Sequence, residues 1–486
     1  MEKRYFNCMD GKGFWAFVFL NFLISCTKPE EKPLNIILIH VDDLGWADIQ
    51  PFGSDFYETP NLNRLAQEGT LFTNSYAAAA ICSPTRAALL TGKYPARLGI
   101  TDWIRAKFQG YSTSGELGEY EEFEARPLKT PKIQGYLPLE EETIAERMKK
   151  LGYQTLHLGK WHLGEEGFHP EDQGFDVNIG GNDLGQPPSY FDPYQAAQPR
   201  EFYEMKNLPP REKGEFLTDR ESDELVQFIE NKEGPFFVHW APYAVHTPIM
   251  GPPELVSKYE EKEKGVQNNP EYAALIENLD FNIGKLMEYL NEKGLRENTL
   301  LIFTSDNGGL IGNPDKPITV NLGLRSQKGF PYEGGIRVPT IVSLPGIIPQ
   351  GKEIEAPIIT MDWIPTILDF LNQNKIDSEL EGKSLKSLLI GEEDLEERDL
   401  FWHFPHYRET TVIPYSIIRS GDWKLIHYYE PGMDELYNLT NDREEKNNLF
   451  NEESEIAKEL QAKLDQWLID TKARMPIEKK NESEEI

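Results

Sequence analysis

Asn35-Ile36-Ile37-Leu38-Ile39-His40-Val41-Asp42-Asp43 decides the fold of this chain. The run has hardly a polar interruption, as expected of a strand buried on both faces, and it stops abruptly at a pair of acids. The same design recurs in Pro235-Phe236-Phe237-Val238-His239-Trp240, which runs toward His246, and in Thr299-Leu300-Leu301-Ile302-Phe303-Thr304, which runs into Ser305-Asp306-Asn307-Gly308-Gly309. Tyr153-Gln154-Thr155-Leu156-His157-Leu158 likewise leads into Gly159-Lys160-Trp161-His162-Leu163-Gly164. Helical patterns lie between these strands. Ile144, Met148 and Leu151 share one face, Glu140 to Glu142 supply acids for the first turn, Lys149 and Lys150 supply bases for the last, and Gly152 stops it. Thr218 with Glu221 reads as a capping box ahead of Leu225, Val226, Phe228 and Ile229. Buried strands alternating with helices indicate an α/β fold, a sandwich around a mostly parallel sheet. In such sheets ligands bind beyond the carboxyl ends of the strands, so the polar residues that follow each apolar run should converge on one edge.

A chain of 486 residues suits one large domain and one smaller one. Asp362 opens an apolar helix from Ile364 to Phe370, and the stretch from Asn372 to Leu400 is rich in charge with no long apolar period. This places a catalytic domain at 34–375 and a C-terminal subdomain at 376–478, with a polar tail at 479–486. Tyr415-Ser416-Ile417-Ile418-Arg419, Trp423-Lys424-Leu425-Ile426-His427-Tyr428-Tyr429 and a closing helix from Ile456 to Ile469 predict an α+β subdomain with an antiparallel sheet. The net charge of -31 argues against nucleic-acid binding, which needs Lys and Arg to neutralise phosphates. It would also repel a polyanion at long range, so an anionic substrate requires a local cluster of cations.

Lys3 and Arg4 precede the apolar run Phe14-Trp15-Ala16-Phe17-Val18-Phe19-Leu20, and Leu23-Ile24-Ser25-Cys26 follows. Residues 1–25 read as a lipoprotein signal peptide, Cys26 as the lipidation site and 26–33 as a linker. The expected product is exported, a periplasmic or outer-membrane or cell-surface lipoprotein with a lipid anchor. Cys8, Cys26 and Cys82 are the only cysteines, so cleavage and lipidation leave Cys82 as a lone thiol and allow no disulfide framework.

Asp42, Asp43, Asp306 and Asn307 supply hard oxygen ligands at the ends of two buried strands, which suits Ca²⁺ or Mg²⁺ and not zinc. Acids after strands also cap turns, and it is the occurrence of two pairs on one sheet edge that favours a metal. Cys82 precedes a marked helix start, with Ser83 as N-cap, Pro84 in the first helical position and Gly92 as the stop. Its thiol would face backbone N–H groups and the positive end of the helix dipole, with Arg86 one turn later. On these grounds alone it could be a low-pKa thiolate nucleophile or a redox thiol.

Cys82-Ser83-Pro84-Thr85-Arg86-Ala87-Ala88-Leu89-Leu90-Thr91-Gly92 resembles the modification signature of the type I, formylglycine-dependent sulfatases of the alkaline-phosphatase-like superfamily. The resemblance extends in family order through Val41-Asp42-Asp43-Leu44-Gly45, Gly159 to Gly164, His246-Thr247-Pro248, Thr304 to Gly308, and Lys328 before Glu333-Gly334-Gly335-Ile336-Arg337. Gly421 to Ile426 and Glu435 to Leu439 resemble the family's C-terminal subdomain. It implies an arylsulfatase-like bacterial lipoprotein with an alkaline-phosphatase-like α/β/α sandwich. It also implies that Cys82 becomes formylglycine (3-oxoalanine), installed by a formylglycine-generating or sulfatase-maturing enzyme. Hydrated to a gem-diol, this residue would join Asp42, Asp43, Asp306 and Asn307 at a Ca²⁺ ion, Mg²⁺ being the lesser candidate, and attack sulfur. Its second hydroxyl would let sulfate leave as the aldehyde reforms. By the same resemblance Arg86 would hold the diol, Lys160 and Lys328 would bind sulfate oxygens, and His162 and His246 would move protons and orient the sulfate. His246 is the candidate acid for the leaving alkoxide.

His157, His169 and His239 lack such context and read as structural. His403 and His406, in Phe401-Trp402-His403-Phe404-Pro405-His406, could overhang the site and contact sugar or form a domain-interface cluster. The expected substrate is a sulfated carbohydrate, a glycosaminoglycan or algal polysaccharide fragment. The alternatives are a phosphate or phosphonate monoester hydrolase of the same superfamily and a carbohydrate-binding relic without turnover. Lys107 to Tyr136 and Gln186 to Gly214, the loops that would select the sugar, match no readable pattern.

Overall fold

The computed structural model describes residues 33–106, 109, 119–195, 204–373, 379–408 and 411–479. The expected leader, Cys26, nearly all of the linker and all but the first residue of the polar tail lie outside these, as does the expected domain boundary at 375. The residues from Leu34 onward form one compact unit.

Asn35–Val41 is a strand, buried along its whole length, and sits near the middle of an eight-stranded sheet. The strand order across that sheet is Lys352–Ile354, Thr70–Phe72, Thr340–Ser343, Thr299–Ser305, Asn35–Val41, Phe236–Ala241, Gln154–Gly159 and Val177–Ile179. The five strands from Thr299–Ser305 to Val177–Ile179 run parallel. Thr340–Ser343 pairs antiparallel with both neighbours, so the sheet is mostly parallel. Period-two alternation explains why the central run has no polar face. Ile37, Ile39 and Val41 pack with Leu62, Leu225, Tyr272 and Leu279 on one side, while Ile36 and Leu38 pack with Leu89, Met148, Trp363 and Ile367 on the other. Helices Pro60–Gln67, Leu217–Asn231 and Pro270–Glu292 supply the first layer, and Cys82–Thr91, Ile144–Lys150 and Trp363–Phe370 the second. Each aliphatic side chain buried in this way contributes about 1.5–3 kcal/mol.

Two local readings need correction. Helix Ile144–Lys150 begins after Glu140 to Glu142, and its cap is Thr143, whose hydroxyl and Glu146 exchange hydrogen bonds in a capping box. Thr218 and Glu221 form no such box, because buried Phe216 occupies the N-cap position and Thr218 already lies inside helix Leu217–Asn231. Glu221 instead accepts a hydrogen bond from the Trp240 indole at 3.3 Å, and burial pushes its carboxyl up to about 8.

The C-terminal region folds as expected into a four-stranded antiparallel sheet of Asp399–Phe404, Tyr415–Ser420, Trp423–Tyr428 and Glu435–Asn438. Leu460, Leu464 and Leu468 of helix Ser454–Asp470 pack on Ile418, Leu425 and Leu436. Two connections tie it to earlier parts of the chain. Ile477 and Glu478 add a strand to Leu128–Pro131, and Lys424 reaches Glu333 at 3.0 Å and Glu445 at 2.8 Å. Lys424 and Glu333 are both 0% exposed. Glu333 also accepts from Arg337 at 2.7 Å and from the Tyr76 hydroxyl at 2.8 Å. Burial pushes Glu445 up to about 7 against the pull of Lys424. Replacing one member strands the others in a medium that cannot solvate them. Lys424→Met is expected to lower the unfolding free energy by about 3–5 kcal/mol, read from equilibrium urea denaturation; a loss below about 1 kcal/mol would show the network to be dispensable.

Candidate active site

The in-line pairing of Val41 with Ser305 fixes the site, because it sets the next residues, Asp42 and Asp306, side by side beyond the sheet. The chain then turns sharply. Asp43 has a left-handed φ of 62°, and its N–H donates to Asp306 Oδ1 at 3.2 Å while Leu44 N–H donates to Ser305 Oγ at 3.0 Å. Gly159 ends strand Gln154–Gly159, two places across the sheet from Asn35–Val41, at φ 93°, where a Cβ would lie 2.1 Å from the Ala241 carbonyl oxygen. That close approach lets Lys160 N–H donate to the same carbonyl at 2.7 Å and carries Lys160 Nζ to 2.7 and 2.9 Å from the Asp42 carboxylate oxygens.

Cys82 is itself the first residue of helix Cys82–Thr91, and the N-cap position belongs to Ile81, not Ser83. The Ser83 hydroxyl is committed elsewhere. It donates to the His162 carbonyl at 2.9 Å and accepts from Ile104 N–H at 3.0 Å, tying the helix to two site loops. Gly92 ends the helix at φ 71°, as expected. Arg86, one turn in, donates from Nε to Asp306 Oδ2 at 2.9 Å and from Nη1 to the Lys160 carbonyl at 2.8 Å. Cys82 is 3% exposed. Burial alone would raise its thiol, but Lys160 and Lys328 outweigh burial and bring it down to about 6.

Lys328 Nζ lies 2.6 and 2.8 Å from the Asp43 carboxylate oxygens and 3.1 Å from His246 Nε2. His246 Nε2 is also 3.4 Å from Asp43 Oδ2, and its Nδ1 donates to the Thr247 carbonyl at 3.0 Å. Burial opposes the imidazolium, yet Asp43 and Asp42 raise its pKa above the ordinary value. His162 is the opposite case. Burial, with Lys160 and Arg86, holds it well below the usual range. Its Nε2 lies 2.7 Å from the Ile104 carbonyl, an acceptor, so Nε2 carries the hydrogen and the buried Nδ1 offers an uncommitted lone pair. Among the carboxylates, burial pushes Asp42 up against Lys160, while Lys328 and His246 hold Asp43 down and Arg86 and Lys160 hold Asp306 down.

Ligand atoms of Asp42, Asp43, Cys82 and His246 lie within 4.8 Å of one another. Asn307 Nδ2 donates to Asp43 Oδ1 at 2.8 Å, which leaves Asn307 Oδ1 buried without a partner. An orphaned amide oxygen beside three buried carboxylates fits a hard divalent cation, whose preferred donors are of that kind.

A cavity of about 240 Å³ opens onto this cluster, lined among others by Cys82, His162, His246, Lys328, Trp103, Gln186 and Arg408. Sequence-predicted Asp42, Asp43, Cys82, Arg86, Lys160, His162, His246, Asp306, Asn307 and Lys328 are thus brought together. His403 and His406 do not line it: His403 contacts Ser416 Oγ and the Arg474 carbonyl, and His406 contacts Thr101 Oγ1. His157 and His239 face each other inside the sheet at 3.1 Å, and His169 meets Lys206 at 2.6 Å. Gln186 opens one of the two loops expected to select the sugar, whereas the sequence pattern gives no notice of Trp103 or Arg408. For Trp103 the available signal is an aromatic residue outside any apolar period.

Residues 34–373 match the family described as Sulfatase, and residues 325–474 match the C-terminal region of N-sulphoglucosamine sulphohydrolase. A protein of Formosa agariphila named Sulfatase is 33% identical over 97% of this chain and 96% of its own length. The N-acetylgalactosamine-6-sulfatase of Sus scrofa is 32% identical over 82% of this chain and 72% of its own length. Among solved structures, Ps i-CgsB in complex with k-i-k-neocarrahexaose superposes with a TM-score of 0.74 at 28% identity, covering 90% of this chain and 94% of that one. Loss of a direct oxygen ligand should weaken cation binding at least as much as loss of an outer-shell contact, about tenfold or more. Asn307→Ala is expected to weaken Ca²⁺ binding by that factor in calorimetric titration, and unchanged affinity would remove Asn307 from the ligand set.

Proposed function

Because the chain belongs to the sulfatase family and is a sulfuric ester hydrolase, we propose that it desulfates carbohydrate through a formylglycine made from Cys82 beside a bound Ca²⁺. The observation that carries this reading is the meeting of Cys82 with Asp42, Asp43 and His246 within 4.8 Å at the floor of the cavity. Asp42, Asp43, Asp306 and Asn307 would hold the cation. Together the cation and the hydrated aldehyde at position 82 would supply an activated oxygen nucleophile and neutralise charge on the sulfuryl group.

The chain's own residues supply the rest. Arg86 fixes Asp306 and Lys160 and brings positive charge to the first turn of the helix that carries residue 82. The ammonium groups of Lys160 and Lys328 act on the charge at residue 82 and serve as ligands for sulfate oxygens. Their burial strengthens each interaction, since little water competes. His162 is kept neutral, so its free Nδ1 can accept a hydrogen bond or proton from the nucleophile. Asp43 and Asp42 raise the pKa of His246, whose Nε2 lies 3.1 Å from Lys328 and 3.4 Å from Asp43, and this residue would serve as the general acid for the leaving alkoxide.

Support for sulfated carbohydrate comes from relatives named for an N-acetylgalactosamine 6-sulfate ester and from a neighbour crystallised with a neocarrahexaose. The apolar run before Cys26 adds the proposal that the enzyme is exported and lipid-anchored, with modification of Cys82 by a maturing enzyme.

Mass spectrometry of the peptide containing residue 82 is expected to show formylglycine in active protein. Cys82→Ala should abolish hydrolysis with an unchanged melting curve, and unmodified cysteine in every active preparation would sink the mechanism. Aryl sulfate should be preferred over aryl phosphate, and a strong reverse preference would point to a phosphate ester hydrolase. General acid catalysis matters most for poor leaving groups, so His246→Ala should lower kcat by about 100-fold or more on alkyl sugar sulfates and far less on nitrophenyl sulfate. Equal losses on both would assign His246 to another role.

A further inference from the structure

In the cluster onto which the cavity opens, three cations each have an acid. Lys328 is held by Asp43, Lys160 by Asp42 and Arg86 by Asp306. Arg408 is different. It enters from the C-terminal region, where its backbone exchanges two hydrogen bonds with Val412 at 3.1 Å, and its side chain lines the same cavity. Its guanidinium lies against the turn after Lys328, since a Cβ on Gly329 would stand 2.9 Å from Arg408 Nη1. That Nη1 is buried and has no hydrogen-bond partner. No carboxylate among the described residues forms an ion pair with Arg408. Asp102 feels its charge without reaching it, the Asp102 Oδ1 being occupied by Trp103 N–H at 2.8 Å. A buried, unpaired guanidinium donor is costly unless something accepts from it. Beside it the Trp103 indole forms an apolar wall, with the Arg105 guanidinium 5.6 Å from its ring centre. A volume of about 240 Å³ is of the order that a sulfate group and one sugar ring occupy.

We propose that Arg408 is a specificity-determining residue that binds a second anionic group, a carboxylate or another sulfate, on the sugar ring whose sulfate faces residue 82. This rests on the sulfatase reading of the cavity and deepens it: the preferred substrate is a doubly charged sugar unit. A planar fork with a free edge suits either oxyanion through two parallel N–H donors. The global charge of -31 sharpens the case, because a doubly anionic ligand is repelled at long range and its second charge gains most from a local cation that has no acid of its own.

The test is calorimetric binding to the full chain carrying Cys82→Ala, which prevents turnover. The ligands are a hexose monosulfate, the corresponding hexose disulfate and a sulfated hexuronate. At least one doubly charged ligand should bind about tenfold or more tighter than the monosulfate, and which of the two does so distinguishes sulfate from carboxylate. Adding Arg408→Gln should bring that ratio to about one. Arg408→Lys should restore only part of it, and serves as the second variant if Arg408→Gln lowers the melting temperature. A ratio of one in the parent, or a ratio that survives both substitutions, overturns the proposal. Should the ratio behave as expected while the unaltered enzyme hydrolyses no sulfate ester, the hydrolase reading fails and the subsite stands. Hydrolysis without the ratio leaves the hydrolase reading in place and removes the subsite.

Discussion

Three carboxylates buried at one sheet edge cannot all stay ionised in a medium that solvates charge poorly, and this constraint organises the molecule. The parallel register of Val41 with Ser305 forces Asp42 and Asp306 together, and the turn at Asp43 adds a third. Compensation comes from three separate segments: Arg86 from a helix on one face, Lys160 from the end of strand Gln154–Gly159 and Lys328 from a long loop. Removing any one cation leaves a neighbour as an uncompensated buried charge, so the site is held by mutual need and not by any single strong pair.

The same constraint explains what the sequence made legible. A strand buried on both faces shows as an apolar run, and its end shows as the first polar residue, so Asp42, Asp306, Lys160 and the approach to His246 could be read without any coordinates. Other positions were hidden for physical reasons. Ser83 looked like a cap because caps depend on local chemistry, but its hydroxyl was drawn to the His162 carbonyl and Ile104 N–H, partners 79 and 21 residues away. Thr218 and Glu221 have the spacing of a capping box, yet burial of Phe216 moved the helix start. His403 sits in an aromatic stretch that suggests a sugar platform, but its ring is consumed by Ser416 and Arg474 inside the smaller sheet. Arg408 carries no periodic signal at all; it acquires meaning only when the C-terminal sheet closes against the turn after Lys328.

Two histidines of one motif set have been driven in opposite directions by their surroundings. Burial and cations lower the pKa of His162, while the acids around His246 raise its pKa. Pushing two titratable groups apart in this way is how a single pocket can offer both a proton acceptor and a proton donor at the same pH.

The strand Ile477–Glu478 pairs with Leu128–Pro131, so residues near the end of the chain complete a layer begun in its first third. Synthesis runs in the other direction: the segment around Cys82 emerges long before the residues that enclose it. In the closed fold the Cys82 side chain is 3% exposed, so whatever alters this thiol reaches it more readily before the residues that enclose it are in place. The order of manufacture thus sets when this thiol is open to chemistry and when it is enclosed.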